Sequence, residues 1–319
     1  METRRSRKKK RIIKIFVFNL ILFTVFSILI IKLIIQPASP PAIINPLIPD
    51  LPSIFQETNN SKSNSLENAV QSALSESTGT YGVVIKNLNT DEKYYLNEHR
   101  VFKTASLYKL WIMAVAYEQI QTGKLQKDQI LTEDVSSLND KFQIASESAE
   151  KTEGTITLSV TEALNKMITI SDNYSALLLS AQVKLSNVAL FLKNQNLTES
   201  NIGTEDKSYP TTTPSDIALF FEKLYKGELA NEKYTKEMID LLKNQRLNNK
   251  LPKYLPQNTI IAHKTGELYN ITHDAGIVYT PTENYIIVVL SETDNPEKAV
   301  EIIGQISKNV YNYFTTKQK

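Results

Sequence analysis

No cysteine occurs among the 319 residues. Disulfide frameworks, thiolate nucleophiles, iron–sulfur sites and zinc ribbons are removed together. Histidine is almost as scarce: His99, His263 and His273 are the whole set, no two at helical spacing, so no metal site is expected. Glycine, at 9 residues, is too sparse for a collagen-like chain, and no short repeat suggests a solenoid. Basic charge is missing from most of the chain. The formal net charge is +2, but residues 1–14 alone carry +7, so the other residues carry the difference, −5. A nucleic-acid binder needs a basic stripe on its folded body, and none is visible, so no nucleic-acid partner is expected. What is present is ordinary: 41% hydrophobic and 22% charged residues, in globular proportions. A chain of this length can bury roughly three quarters of its unfolded surface without staples.

The N-terminal end reads as a membrane device. Arg4, Arg5, Arg7, Lys8, Lys9, Lys10, Arg11 and Lys14 form a basic tail, 1–14. An apolar run, 15–35, follows, interrupted only by Asn19, Thr24, Ser27 and Lys32. Its 21 residues match the length a helix needs to cross a bilayer. A basic flank before it and none after it place the N-terminus in the cytoplasm and the rest outside, a single-pass cell-membrane protein. The alternative is a cleaved signal peptide, but Pro37, Pro40 and Pro41 crowd the place where a small-x-small site should stand. Residues 36–64 hold six of the twelve prolines and then an Asn/Ser stretch, an extended, semi-rigid linker.

The exported body, 65–319, begins with a short amphipathic helix from Ser65. Two strands are expected over 81–88 and 93–96, and a strongly apolar helix over 107–121, closed by Gly123. Residues 124–157 read as polar and irregular. Helical patterns cover 160–170 and 174–184. Thr213-Pro214-Ser215-Asp216 is a helix start, with a threonine cap, proline in the first turn and aspartate three residues on. Further helices are read over 235–243 and 296–314, with β-branched strands over 259–265, 275–279 and 285–291 between them. Neither set of strands makes a stable layer alone. The expected fold is therefore α+β: an antiparallel sheet of about five strands from both ends of the body, flanked by the terminal helices, with an inserted all-helical subdomain over about 106–257. A cleft at their boundary is the natural place for a site.

Ser106-Leu107-Tyr108-Lys109 is an S-x-x-K that opens the apolar helix. Serine and lysine three apart share a helix face, and a neutral lysine beside a hydroxyl can act as its base. The string alone is cheap: it recurs at Ser6/Lys9 and Ser148/Lys151, and taken by itself Ser106 reads first as a helix cap. Two later tripeptides, Ser171-Asp172-Asn173 between two helices and Lys264-Thr265-Gly266 at the end of a strand, decide between the readings. S-x-x-K, S-D-N and K-T-G in this order are the signature of class A β-lactamases and penicillin-binding proteins. Over about 65–316 the sequence resembles the class A β-lactamase-like serine hydrolases. Thr211 to Pro214 and His273 to Ile277 look like the same family.

The resemblance implies an acyl-enzyme on Ser106, with Lys109 as proton acceptor. Ser171 would pass a proton to the leaving nitrogen, and Lys264 would tune Ser171 and attract a substrate carboxylate. Asn173 would hydrogen-bond the substrate's side-chain amide, although a helix cap is its alternative role. Thr265 and Gly266 would line the carboxylate side, and the backbone N–H groups of Ser106 and Glu267 would form the oxyanion hole. No metal and no cofactor are implied. The expected ligand is a β-lactam or a peptidoglycan peptide, and a monomer is expected. Departures from the pattern bear on turnover. No E-x-x-L-N stands between S-D-N and Thr211, and Glu199, Glu205 and Asp206 are the only carboxylates in the short span 194–213. All three read as solvated loop charges, with Glu205 kept as the candidate deacylation base. His273 falls where an arginine often holds the carboxylate, as a substitute cation or a packed histidine. A D-Ala-D-Ala carboxypeptidase and a penicillin sensor or trap without turnover are the rival readings.

Overall fold

A computed structural model of the chain describes residues 60–203 and 209–316. The basic tail, the apolar run, most of the linker, Glu205 and Asp206 lie outside the described residues. Helix α1 (Asn60–Leu74) starts five residues earlier than its serine-cap reading. Strands β1 (Thr80–Asn87) and β2 (Lys93–Leu96) follow, and β7 (Ile260–Leu268), β8 (Ile271–Tyr279) and β9 (Tyr285–Glu292) come from the other end of the body. They form one antiparallel five-stranded sheet in the order β2-β1-β9-β8-β7. Both ends of the body thus meet at the β1–β9 pairing, where Val84 stands opposite Val288.

Strand side chains alternate between faces, and here both faces are covered. Val83, Ile85, Ile287 and Val289 pack with Leu66 and Val70 of α1 and with Ile302, Ile303, Ile306 and Val310 of α9 (Pro296–Thr316). Val84, Ile286, Val288 and Leu290 pack on the opposite side with Ile217, Phe220 and Phe221 of α7 (Pro214–Tyr225) and with α2 (Lys109–Gln121). Two-sided burial is why β9 reads as an unbroken apolar run and not as an alternation. Each such side chain contributes about 1.5–3 kcal/mol relative to exposure.

The insertion also holds α4 (Val160–Thr169), α5 (Asn173–Val183), α6 (Leu185–Asn194) and α8 (Glu232–Lys243). It is not wholly helical. Residues 124–157 contain β4 (Ile130–Asp134), α3 (Val135–Lys141) and part of β5 (Thr155–Ser159), and β4 pairs antiparallel with β5, Thr132 opposite Thr157. This pair is mostly exposed, so it carried little of the apolar signal by which strands are read. A second small pair joins β3 (Phe102–Lys103) to β6 (Thr211–Thr212). Among the described residues no single helix is long and apolar enough to cross a membrane. The bent pair α5–α6 passes on length and composition only, with an 80° break.

Candidate active site

The site is built where β7, the edge of the sheet, packs along a 3-10 turn, Ala105–Tyr108, that leads into α2. Ser106 is the second residue of that turn, so its N–H has no acceptor within the turn. It makes no cap: the residue before the turn is Thr104, and no side-chain cap bond is formed there. Ala105 sits at φ 46°, in the left-handed region that side chains with a Cβ avoid, and this strain is held directly beside Ser106. Gly266 lets the strand come close. A Cβ there would stand 3.1 Å from the Thr104 carbonyl oxygen and 3.2 Å from the Ala105 Cβ. Glu267, one residue on, thereby lies beside the turn.

Lys109, one turn after Ser106 and fully buried, donates to Ser171 O at 2.5 Å, to Asn173 Oδ1 at 2.7 Å and to Ser171 Oγ at 3.2 Å. These are the three acceptors an ammonium requires. Burial nevertheless pushes its pKa down to about 8, against the Asp172 and Glu150 carboxylates, which favour the charge. Lys264, buried on β7, donates to Ser171 Oγ at 3.0 Å and to Thr265 O at 2.9 Å. Burial first, and then the Lys109 charge, hold its pKa well below the usual lysine value, while Asp274 pulls the other way. Ser171 therefore stands between two lysines. It too is in the left-handed region, at φ 58°, in the break between α4 and α5. Asp172 caps α5 by accepting from Ser175 N at 2.7 Å. The cap reading of Asn173 is thus transferred to Asp172, and the Asn173 side chain is free to face Lys109.

The structure decides between the two readings of His273, and it gives Glu199 partners where a solvated loop charge was read. His273 is not a carboxylate-binding cation. It is fully buried, accepts from Ser291 N at Nδ1 (3.0 Å) and donates from Nε2 to Lys103 O (2.9 Å). Burial drives its pKa down to about 4, so the ring is neutral and braces β8 against β3, edge-on to Phe102. Glu199 is engaged elsewhere: its carboxylate accepts from Thr213 Oγ1 at 2.9 Å and meets His99 Nδ1 at 3.0 Å. Its own N–H donates to Asp216 Oδ2 at 2.9 Å, which pins the span after α6 to the start of α7. Glu205 lies outside the described residues.

Sequence reasoning missed two charged groups. Glu150, in the stretch read as irregular, accepts from Asn173 Nδ2 and adds a negative charge near Lys109. Lys250, in a polar Asn-Asn-Lys loop, is fully buried and pairs with the Glu267 carboxylate. No local pattern announces either, because each matters through a partner far away in sequence. Among the described residues no group of three or more His, Asp or Glu side chains could hold a metal ion.

Known proteins share this fold. Residues 65–314 match the family model described as the beta-lactamase enzyme family. The beta-lactamase VEB-1 of Pseudomonas aeruginosa is 25% identical over 81% of this chain and 93% of its own length. The crystal structure of a beta-lactamase from Sphaerobacter thermophilus superposes with a TM-score of 0.70 at 22% identity, covering 80% of this chain and 99% of that one. A mutant of PBP-A, captured as an acyl-enzyme with penicillin G, gives a TM-score of 0.68 at 23% identity over 80% of this chain and 97% of that one.

Proposed function

The chain belongs to the beta-lactamase enzyme family, a class A-like group of serine hydrolases, and from that premise we propose that it opens β-lactam amides through an ester on Ser106. The observation that carries the chemistry is the chain of hydrogen bonds Lys109–Ser171–Lys264 beside the strained Ser106 turn. Ser106 Oγ attacks the lactam carbonyl carbon, and its proton passes to neutral Lys109, directly or through water. The negative oxygen so formed accepts from the N–H groups of Ser106 and Glu267. The C–N bond then breaks. The leaving nitrogen takes the Ser171 hydroxyl proton, and the Ser171 oxygen regains one from the lysines on either side. Water later adds to the ester, releasing the acid and restoring Ser106.

A penicillin carrying a fluorophore tests this. It should label the full chain once, on the peptide that contains Ser106, and Ser106→Ala should abolish the label. Labelling that survives the substitution rules out the mechanism. One observation favours a second reading, in which the ester is long-lived and the natural substrate is a D-Ala-D-Ala peptide of the cell wall or the protein acts as a sensor or trap. Glu199, the described carboxylate of the span where a deacylation base is expected, is bonded to His99 and Thr213.

The body works outside the cell, held by residues 15–35 as an uncleaved single-pass helix with the N-terminus in the cytoplasm. The apolar length and the basic tail support this reading. A reporter fused after residue 66 should be active only outside the cytoplasm, and the mature protein should keep its first residues. A mature N-terminus near Ser39 would show a cleaved signal instead.

A further inference from the structure

Lys250 is a lysine with no exposed surface, and among the described residues its ammonium meets one acceptor, the Glu267 carboxylate. The two partners are unequal. The Glu267 side chain is 59% exposed, and among the described residues its carboxylate is held by Lys250 alone. Lys250 cannot follow it into solvent, because the loop that carries it is anchored. Leu251 N–H donates to the buried Asp274 Oδ2 at 3.0 Å, and Lys253 N–H donates to the Lys250 carbonyl at 2.9 Å. A buried ammonium left without an anion is strongly unfavourable. When Glu267 swings outward, an anion that takes its place restores the pairing.

The position of the pair gives that anion an identity. Glu267 follows Lys264-Thr265-Gly266 directly, and Lys250 is near enough to Lys264 to lower its pKa further by charge repulsion. The groups facing Lys250 are therefore Lys264 and Glu267 from β7, His273 (neutral) and Asp274 from β8; Asp274 is already engaged by Leu251 N–H and by His263 Nδ1 at 2.8 Å. With Asp274 held in this way, the Lys250 ammonium is the cation that a carboxylate entering in place of Glu267 would meet. We infer that Glu267 is an internal stand-in for the substrate's carboxylate, so that Lys250 exchanges one for the other when an anionic substrate binds, and that Glu267 thereby sets how strongly the enzyme prefers anionic over neutral acyl donors. The inference rests on the proposed acyl transfer at Ser106. Glu267 acts here as a specificity-determining side chain, distinct from the role of its backbone N–H.

Two measurements test it. The first compares a penicillin carrying its free carboxylate with the methyl ester of the same compound, as the ratio of their second-order rate constants for labelling the full chain. A like charge facing the incoming carboxylate is costly, so Glu267→Gln should raise the acid-to-ester ratio about tenfold. Lys250→Met should lower it by at least about as much. An unchanged or lowered ratio in Glu267→Gln overturns the inference. Glu267→Gln leaves Lys250 an amide oxygen to donate to, so that arm stands even if Lys250→Met does not fold. The second measurement is equilibrium binding of the same acid to Ser106→Ala by calorimetry, with and without Glu267→Gln. Tighter binding in the double variant supports the exchange and equal binding refutes it, whether or not the wild-type chain is acylated. Failure of the acyl-transfer reading is therefore seen separately, as absence of label from both compounds.

Discussion

Lys109 is useful as a base only after it loses a proton, and burial brings that loss to about pH 8. The neutral fraction grows as pH rises through this value, so the acylation rate should climb with pH on a limb centred near it. Glu150 acts against this. Its carboxylate favours the ammonium, and it also accepts from the Asn173 amide. In Glu150→Gln the ammonium loses a nearby negative charge, its pKa falls, and the limb should move to lower pH. Stopped-flow labelling from pH 6 to 10 checks the direction; a limb that moves upward contradicts the placement of Glu150. Ser171→Ala removes the hydroxyl shared by both lysines. It should slow acylation by about 10²–10⁴-fold, the range of a general acid–base group. Ser106→Ala should cost well under about 1 kcal/mol of stability, because the serine caps nothing. A fall in the thermal midpoint of more than a few degrees would show a structural role that the turn geometry does not.

At the scale of elements, the site depends on β7 lying against the nucleophile turn. Gly266→Ala places a Cβ 3.1 Å from the Thr104 carbonyl oxygen and 3.2 Å from the Ala105 Cβ. Neither neighbour is the loose end of a long side chain, so strand or turn must yield by a few tenths of an ångström. We expect a stability loss of about 1 kcal/mol and an acylation rate lower by about tenfold, since small misplacements at a reacting centre are expensive. Melting curves and labelling rates together check this; a slower rate with no shift in melting would still fit, while no change in either would not. Elements also explain what could be read beforehand. The helix start at Thr213 was legible because its cap is local, and Thr213 Oγ1 does accept from Asp216 N at 3.2 Å. Ser106, Lys109, Ser171 and Lys264 were legible as short strings in a particular order. The left-handed φ of Ala105 and Ser171 was not, because neither residue type announces it. The β4–β5 pair was missed for want of burial, and the Lys250–Glu267 pair because its members are seventeen residues apart on a loop and a strand. His273 had two readings from sequence, and only its partners on β3 and β9 decide between them.

For the whole molecule the deciding quantity is the balance between forming the ester and clearing it. In the proposed mechanism, formation draws on Lys109, Ser171, Lys264 and the two backbone N–H groups. Clearing it needs water made nucleophilic by a base, and the described carboxylate of the loop before α7, Glu199, is turned to His99 and Thr213. Tying the loop down in this way also serves the fold, since Ser200 Oγ donates to the same Asp216 carboxylate at 2.8 Å. A general base contributes about 10²–10⁴-fold, so hydrolysis of a penicilloyl ester should lag its formation by at least about two orders of magnitude. A chromogenic cephalosporin mixed with the full chain should give a burst of one product per protein and then a slow phase. Glu199→Gln should leave that slow phase as it is and instead lower stability, because it weakens the contacts with His99 and Thr213. If Glu205 is the base, Glu205→Gln should lengthen the life of the ester sharply. Fast turnover without a burst, unaltered by Glu205→Gln, would mean that water is activated from another side of the cleft. Glu150, whose carboxylate accepts from Asn173 Nδ2, would then be the residue to change next, since its loss would slow the second step while lowering the pH at which the first begins.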